Sequence, residues 1–168
     1  MRRPGSASVP PLFPLLFGSF LVAALAAALV TVPPAAAVTW NVPSQAPTIQ
    51  AGVDSAAVGD TVLVACGTYN EKDIVLTSGI ILRSATGQAD CVTVDMSGMG
   101  SGRIFYAEEL EPAPTIEGFT LTGGNGGWGG GAIYVFLTNR VVIRNCVIDG
   151  NEATDGGGEC SPTIVGSS

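Results

Sequence analysis

The chain has 168 residues, no histidine, four cysteines and a net charge of −7. An acidic chain of this kind is a poor partner for nucleic acid or anionic lipid, and its length suits one domain with a core of its own. Charge is sparse, at 12% of residues, while glycine is abundant, at 23 residues.

The first segment reads as an export signal. Arg2 and Arg3 precede an almost wholly apolar run, 12–32, and Ala35-Ala36-Ala37 offers a small-x-small cleavage site. Cleavage after Ala37 would define residues 1–37 as a signal peptide and leave 131 of the 168 residues. The apolar run also approaches the roughly 20 residues needed to span a bilayer, but Pro14, Pro33 and Pro34 favour a cleaved signal. Beyond it, Lys72, Arg83, Arg103, Arg140 and Arg144 stand against all 14 acids, a balance of −9. An exported chain permits disulfides among Cys66, Cys91, Cys146 and Cys160. Of three connectivities, the local pairs Cys66–Cys91 and Cys146–Cys160 are preferred, with buried free thiols as the alternative.

Residues 38–60 read as a cap segment. Trp40-Asn41-Val42 is a short extended piece, and Pro43 and Pro47 delay any helix until Thr48. Thr48 is suited to cap a short helix with Ile49, Val53 and Ala56 or Ala57 on one face, closed by Gly59-Asp60. Such a helix would cover the open end of a stack of strands.

Residues 61–168 read as coils of short strands. Thr61–Ala65 is a buried strand, Gly67–Asn70 a turn, and Ile74–Leu76 and Ile80–Leu82 are strands on either side of Thr77-Ser78-Gly79. A second coil holds Cys91–Val94, Ile104–Tyr106 and Ile116–Leu121, with an outward loop at Ala107–Pro114. A third holds Ala132–Phe136, Val141–Ile143 and Cys146–Ile148, and a fourth opens at Gly156.

Two segments set the period. Ile116–Gly123 with Gly129–Gly131 is echoed by Ile143–Gly150 with Gly156–Gly158, both at an offset of 27. Short β-type pieces with glycine corners at such a period mark a stacked solenoid. The expected fold is therefore all-β, a right-handed parallel β-helix with an N-terminal capping helix. The stop just after Thr163-Ile164-Val165 predicts a chain cut short at its C-terminus, a fragment of a longer solenoid. Its open last coil could pair edge to edge with another copy.

Three blocks carry a family resemblance. Thr48–Ala57, Gly59–Ala65 and Gly67-Thr68-Tyr69-Asn70-Glu71 look like the opening of the pectin-lyase-like superfamily of right-handed parallel β-helices. Val147–Gly158, Gly130-Gly131-Ala132-Ile133 and Phe136-Leu137-Thr138-Asn139 resemble repeats of bacterial polymorphic outer-membrane proteins. The first resemblance implies that polysaccharide lyases, hydrolases and esterases must be considered. The Gly67–Glu71 block is shared with pectin methylesterases, but their catalytic blocks have no counterpart here. Pectate lyases use clustered acidic calcium ligands with a basic proton abstractor. Here the basic residue nearest a late carboxylate is Arg144, five positions before Asp149.

Candidate chemistry is otherwise thin. Asp149, Glu152, Asp155 and Glu159 read as solvated corner charges rather than a matched carboxylate pair. Asp149, Asn151 and Asp155 could offer oxygens to calcium, but the glycine run Gly123–Gly131 lacks the aspartate that a repeated calcium motif needs. Trp128 could stack on a sugar ring or cover an apolar corner, and Tyr69, Tyr106 and Tyr134 read as core or stacking-ladder residues. No catalytic, cofactor-binding or metal-binding residue is nominated, and no cofactor is expected. The expected role is a non-catalytic secreted or cell-surface module binding extracellular polysaccharide or a surface protein. It would have no nucleic-acid partner and no membrane segment after cleavage. The alternative is the N-terminal part of a polysaccharide-degrading enzyme.

Overall fold

A computed structural model describes residues 36–127, 129–136 and 140–153, together with the backbone of Thr163–Ile164. The expected signal peptide falls almost entirely outside these residues. Among the described residues, no helix is long and apolar enough to cross a membrane.

The chain begins with β1 (Thr39–Val42), α1 (Ile49–Ser55) and β2 (Thr61–Val64). Short strands follow: β3 (Gly67–Tyr69), β4 (Ile74–Val75), β5 (Ile81–Ser84), β6 (Val92–Asp95), β7 (Phe105–Glu108), β8 (Thr115–Glu117) and β9 (Phe119–Thr122). Then come β10 (Ile133–Phe136), β11 (Val142–Arg144), β12 (Val147–Ile148) and β13 (Thr163–Ile164). They form three sheets, ordered β1-β2-β5-β8-β11-β13, β12-β9-β6-β3 and β10-β7-β4. Every strand pairing within them is parallel. From β2 onward the chain visits the six-, four- and three-stranded sheets in that rotation and returns to the first. The architecture is all-β and compatible with a solenoid.

Alternation within each strand explains the core. In a strand, successive side chains point to opposite faces, and register then aligns equivalent residues from coil to coil. Val62, Leu82, Ile116 and Ile143 stand in one column of the six-stranded sheet, all of them buried. Val94 and Leu121 form a second column, and Ile74, Phe105 and Ile133 a third. Phe105 and Phe119 meet edge to face across the interior, with centroids 6.4 Å apart. Each fully buried aliphatic side chain contributes about 1.5–3 kcal/mol. The 27-residue echo is a true coil offset here, since Ile116 pairs with Ile143 and Gly123 N–H donates to Gly150 O.

The helix is a lid. Thr48 Oγ1 accepts from Ala51 N–H as its N-cap. Ile49, Val53 and Ala56 are buried, and α1 packs on β1, β2 and β4. Two side chains fasten it. The Glu71 carboxylate accepts from the otherwise orphaned N–H groups of Ile49 and Gln50 at 2.8 and 3.1 Å. The Gln50 amide pairs with both backbone groups of Val75, accepting at 2.7 Å and donating at 3.3 Å. β4 is the edge of its sheet, so this amide blocks the exposed backbone of an edge strand.

Three expectations need correction. Gly67–Tyr69 is a strand, not part of a turn, because it pairs in register with Val92–Val94. Ile116–Leu121 is two strands in two sheets, broken at Gly118, whose φ is +79°. A Cβ there would also run into the backbone of Gly87 and Gln88, so only glycine serves. The loop expected from Ala107 starts later, since Ala107 and Glu108 belong to β7 and Ala107 is fully buried.

Candidate functional site

The outward side chains of the three-stranded sheet make the candidate site. β7 reads Phe-Tyr-Ala-Glu and β10 reads Ile-Tyr-Val-Phe. In both, the first and third residues are buried in the core, which turns the second and fourth outward. Register then sets Val75, Tyr106 and Tyr134 in one outward column. Glu108 lies beside Phe136 in the next.

The rings are nearly parallel. Tyr106 and Tyr134 stack at 5.6 Å between centroids with 15° between planes, and Tyr134 and Phe136 at 6.2 Å and 14°. Val75 is 52% exposed and Phe136 41%, whereas both tyrosines are half-buried. The Arg103 guanidinium sits 4.4 Å from the Tyr134 centroid and 5.8 Å from that of Tyr106. This is within cation–π range of both rings. Its own backbone N–H donates to Asp73 Oδ1 at 3.2 Å.

Glu108 and Tyr106 form the polar margin. The Tyr106 hydroxyl donates to Glu108 Oε2 at 2.6 Å. That hydrogen bond, with the neighbouring negative charge, pushes the phenol above its ordinary value. Tyr106 is therefore a neutral donor, not a base, at ordinary pH. The face combines an apolar surface with a carboxylate acceptor and guanidinium donors. Nothing in it pairs a nucleophile with an activating base.

The glycine run supports the same face. Gly129 has φ +89° and lies flush on the Tyr134 ring, where a Cβ would strike it. Gly124 likewise abuts the carbonyl of Gly131. At these two positions the backbone approaches its neighbours too closely for any side chain.

The residues singled out from sequence fare differently. Asn151 is committed to the backbone: its Oδ1 accepts from Gly124 N–H at 2.9 Å, and its Nδ2 donates to Leu121 O and Asp149 O. Asp149 and Glu152 are exposed. Trp128, Asp155, Glu159 and Cys160 lie outside the described residues. Among the described residues, no group of three or more His, Cys, Asp or Glu could hold a metal ion. Arg144 pairs in register with Glu117 in the six-stranded sheet, whereas Asp149 follows β12 in the four-stranded one. They do not form an acid–base pair. Tyr69 stands apart from the other tyrosines, its hydroxyl donating to Ala65 O at 2.9 Å.

Cys66 and Cys91 form a disulfide between adjacent coils, the pairing preferred from sequence. The second preferred pair involves Cys160, which lies outside the described residues. Cys146 carries a free thiol, and burial, the largest cause, pushes its pKa up, so it is a poor nucleophile. It lies between β11 and β12, next to Val147, which pairs with Thr120 of the preceding coil.

Sequence reasoning missed Arg103, Glu108, Phe136 and Val75. Comparison with protein families, curated proteins and solved structures finds no match for the chain.

Proposed function

We propose that this chain is a non-catalytic, exported right-handed parallel β-helix module of the pectin-lyase-like type. It binds carbohydrate through the outward face of the three-stranded sheet. The observation that carries this reading is the set of near-parallel rings of Tyr106, Tyr134 and Phe136, bordered by Glu108 and Arg103. Aromatic rings offer rigid, amphipathic area at small entropic cost. The C–H faces of a pyranose pack on such area while its hydroxyls reach the bordering polar groups. Export is supported by the basic, apolar and small-residue order of residues 1–37. It is also supported by the Cys66–Cys91 bridge, a bond that persists in oxidising compartments. The module reading is supported by the commitment of the polar side chains near the corners, such as Asn151, to backbone hydrogen bonds.

The experiment is a glycan panel read against Tyr134→Ala. Retention of the native chain on at least one polysaccharide, lost in the variant at unchanged circular dichroism, supports the reading. Retention on a partner protein but on no glycan would replace it with a protein-binding role.

A further inference from the structure

We infer that the N-terminal end of the stack is a built terminus that refuses strand addition by a second copy of this chain, and that Gln45 and Gln50 are its gatekeepers.

The outer backbone of an edge strand is a template for another chain. In a parallel ladder alternate residues turn their N–H and C=O toward one neighbour, and the residues between turn theirs the other way. The edges at this end belong to β1, β3 and β4. Val38 O and Val42 O accept from Thr61 and Ala65 on the β2 side, so Thr39 and Asn41 face outward. Ile74 and Leu76 donate to Ile104 O and Tyr106 O on the β7 side, which turns Val75 outward. Gly67 donates to Cys91 O on the β6 side, which turns Thr68 outward.

Asn41 and Val75 are plugged. At Val75 the Gln50 Oε1 accepts from the N–H at 2.7 Å, and Nε2 donates to the carbonyl at 3.3 Å. A side-chain amide carries an acceptor and donors on one plane, as a peptide group does. Gln50 therefore stands in for the peptide of a further strand. Asp54 Oδ1 holds that amide in place, accepting from Nε2 at 2.7 Å. At Asn41 the Gln45 Oε1 accepts from the backbone N–H at 2.8 Å. The N–H groups of Gln45 and Ala46 donate to Asn41 O at 2.7 and 3.2 Å. Asn41 Nδ2 also donates to Gln45 Oε1, at 2.6 Å, and so fixes the plug. Among the described residues, the outward positions without such a plug are Thr39 and Thr68. They lie in different sheets, and β3 is only three residues long. A short edge of this kind gives a second strand little to pair with. The cap segment thus does two jobs: its apolar face covers the core, and its two glutamines close the backbone.

The test is sedimentation velocity of the native chain beside Gln45→Met, Gln50→Met and the double variant. Gln45 is exposed and Gln50 half-buried, and methionine removes the amide at similar side-chain length. The double variant should self-associate more tightly than the native chain, about fivefold for each of the three backbone groups released, namely Asn41 N–H, Val75 N–H and Val75 C=O. Each single variant should fall between. Glu71→Ala, which loosens the start of the lid helix and keeps both amides, should sediment as the native chain does. A double variant with unchanged circular dichroism and unchanged sedimentation would overturn the inference. Equal association in Glu71→Ala would assign the effect to a loosened lid and remove the gatekeeping role. Hydrogen exchange on the native chain decides the matter even where a variant fails to fold. The Asn41 and Val75 amides should exchange at least about tenfold more slowly than the Thr68 amide, and exchange as fast as that of Thr68 would contradict the plugs.

Discussion

The Cys66–Cys91 bridge gives the sharpest stability prediction. It closes a loop with a sequence separation of 25 residues. Gly67 N–H already donates to Cys91 O at 2.8 Å, and β3 and β6 are paired without the sulfur atoms. The bridge therefore adds little to the folded state's contacts. It acts by removing freedom from the unfolded chain, worth about 3.5 kcal/mol for a loop of this length on the chain-entropy relation. The perturbation is the double substitution Cys66→Ser, Cys91→Ser, followed by urea unfolding beside the native chain with and without reductant. The expected result is a lower midpoint, about 3.5 kcal/mol of lost stability, and a somewhat larger m-value as the unfolded chain expands. Reductant should destabilise the native chain alike and leave the double variant unchanged. A loss below about 0.5 kcal/mol would refute the reasoning, because a typical native bridge contributes several times that.

Three further outcomes follow from single groups. Gly118→Ala should cost about 3 kcal/mol or more in urea unfolding. A non-glycine residue at φ +79° is strained by about 1–3 kcal/mol, and its Cβ would press on the Gly87 and Gln88 backbone. Glu71→Ala should lower stability by about 1–2 kcal/mol, by stripping two acceptors from the start of the lid helix, and a thermal melt will detect it. Asp60 accepts from Ala57 N–H and Val38 N–H, which hold its pKa below the ordinary 3.8. Its contribution is therefore fully present above pH 3.8 and lost as pH falls through the lower folded value. Asp60→Asn should flatten the stability–pH curve in that acid range.

Much of the architecture was legible because its physical signals are local. Thr48, the proline block before it and the spacing of Ile49 and Val53 specify the lid helix, and each plays its expected part. The offset of 27 between Ile116 and Ile143 is a real register. Other offsets are not 27: Thr61 pairs with Ile81 and Ile81 with Thr115. Unequal corners hide those coils from any search at one period. The same irregularity hid the site. Tyr106 and Tyr134 are 28 residues apart, as are Glu108 and Phe136, so the two outward pairs match only when β7 and β10 are aligned by themselves. Trp128 drew attention as the aromatic nearest a glycine corner, whereas the described aromatic face lies on a strand. Gly67-Thr68-Tyr69 read as a turn because glycine dominates local propensity. Parallel pairing with Val92-Thr93-Val94 overrides it.

The most direct measurement is hydroxyl-radical footprinting of the chain with and without a retained glycan, read residue by residue. Protection concentrated at Tyr106, Tyr134 and Phe136, with Tyr69 unchanged as the internal reference, is the expected result. Protection at Tyr69 with none on those three rings would contradict a binding face on the three-stranded sheet.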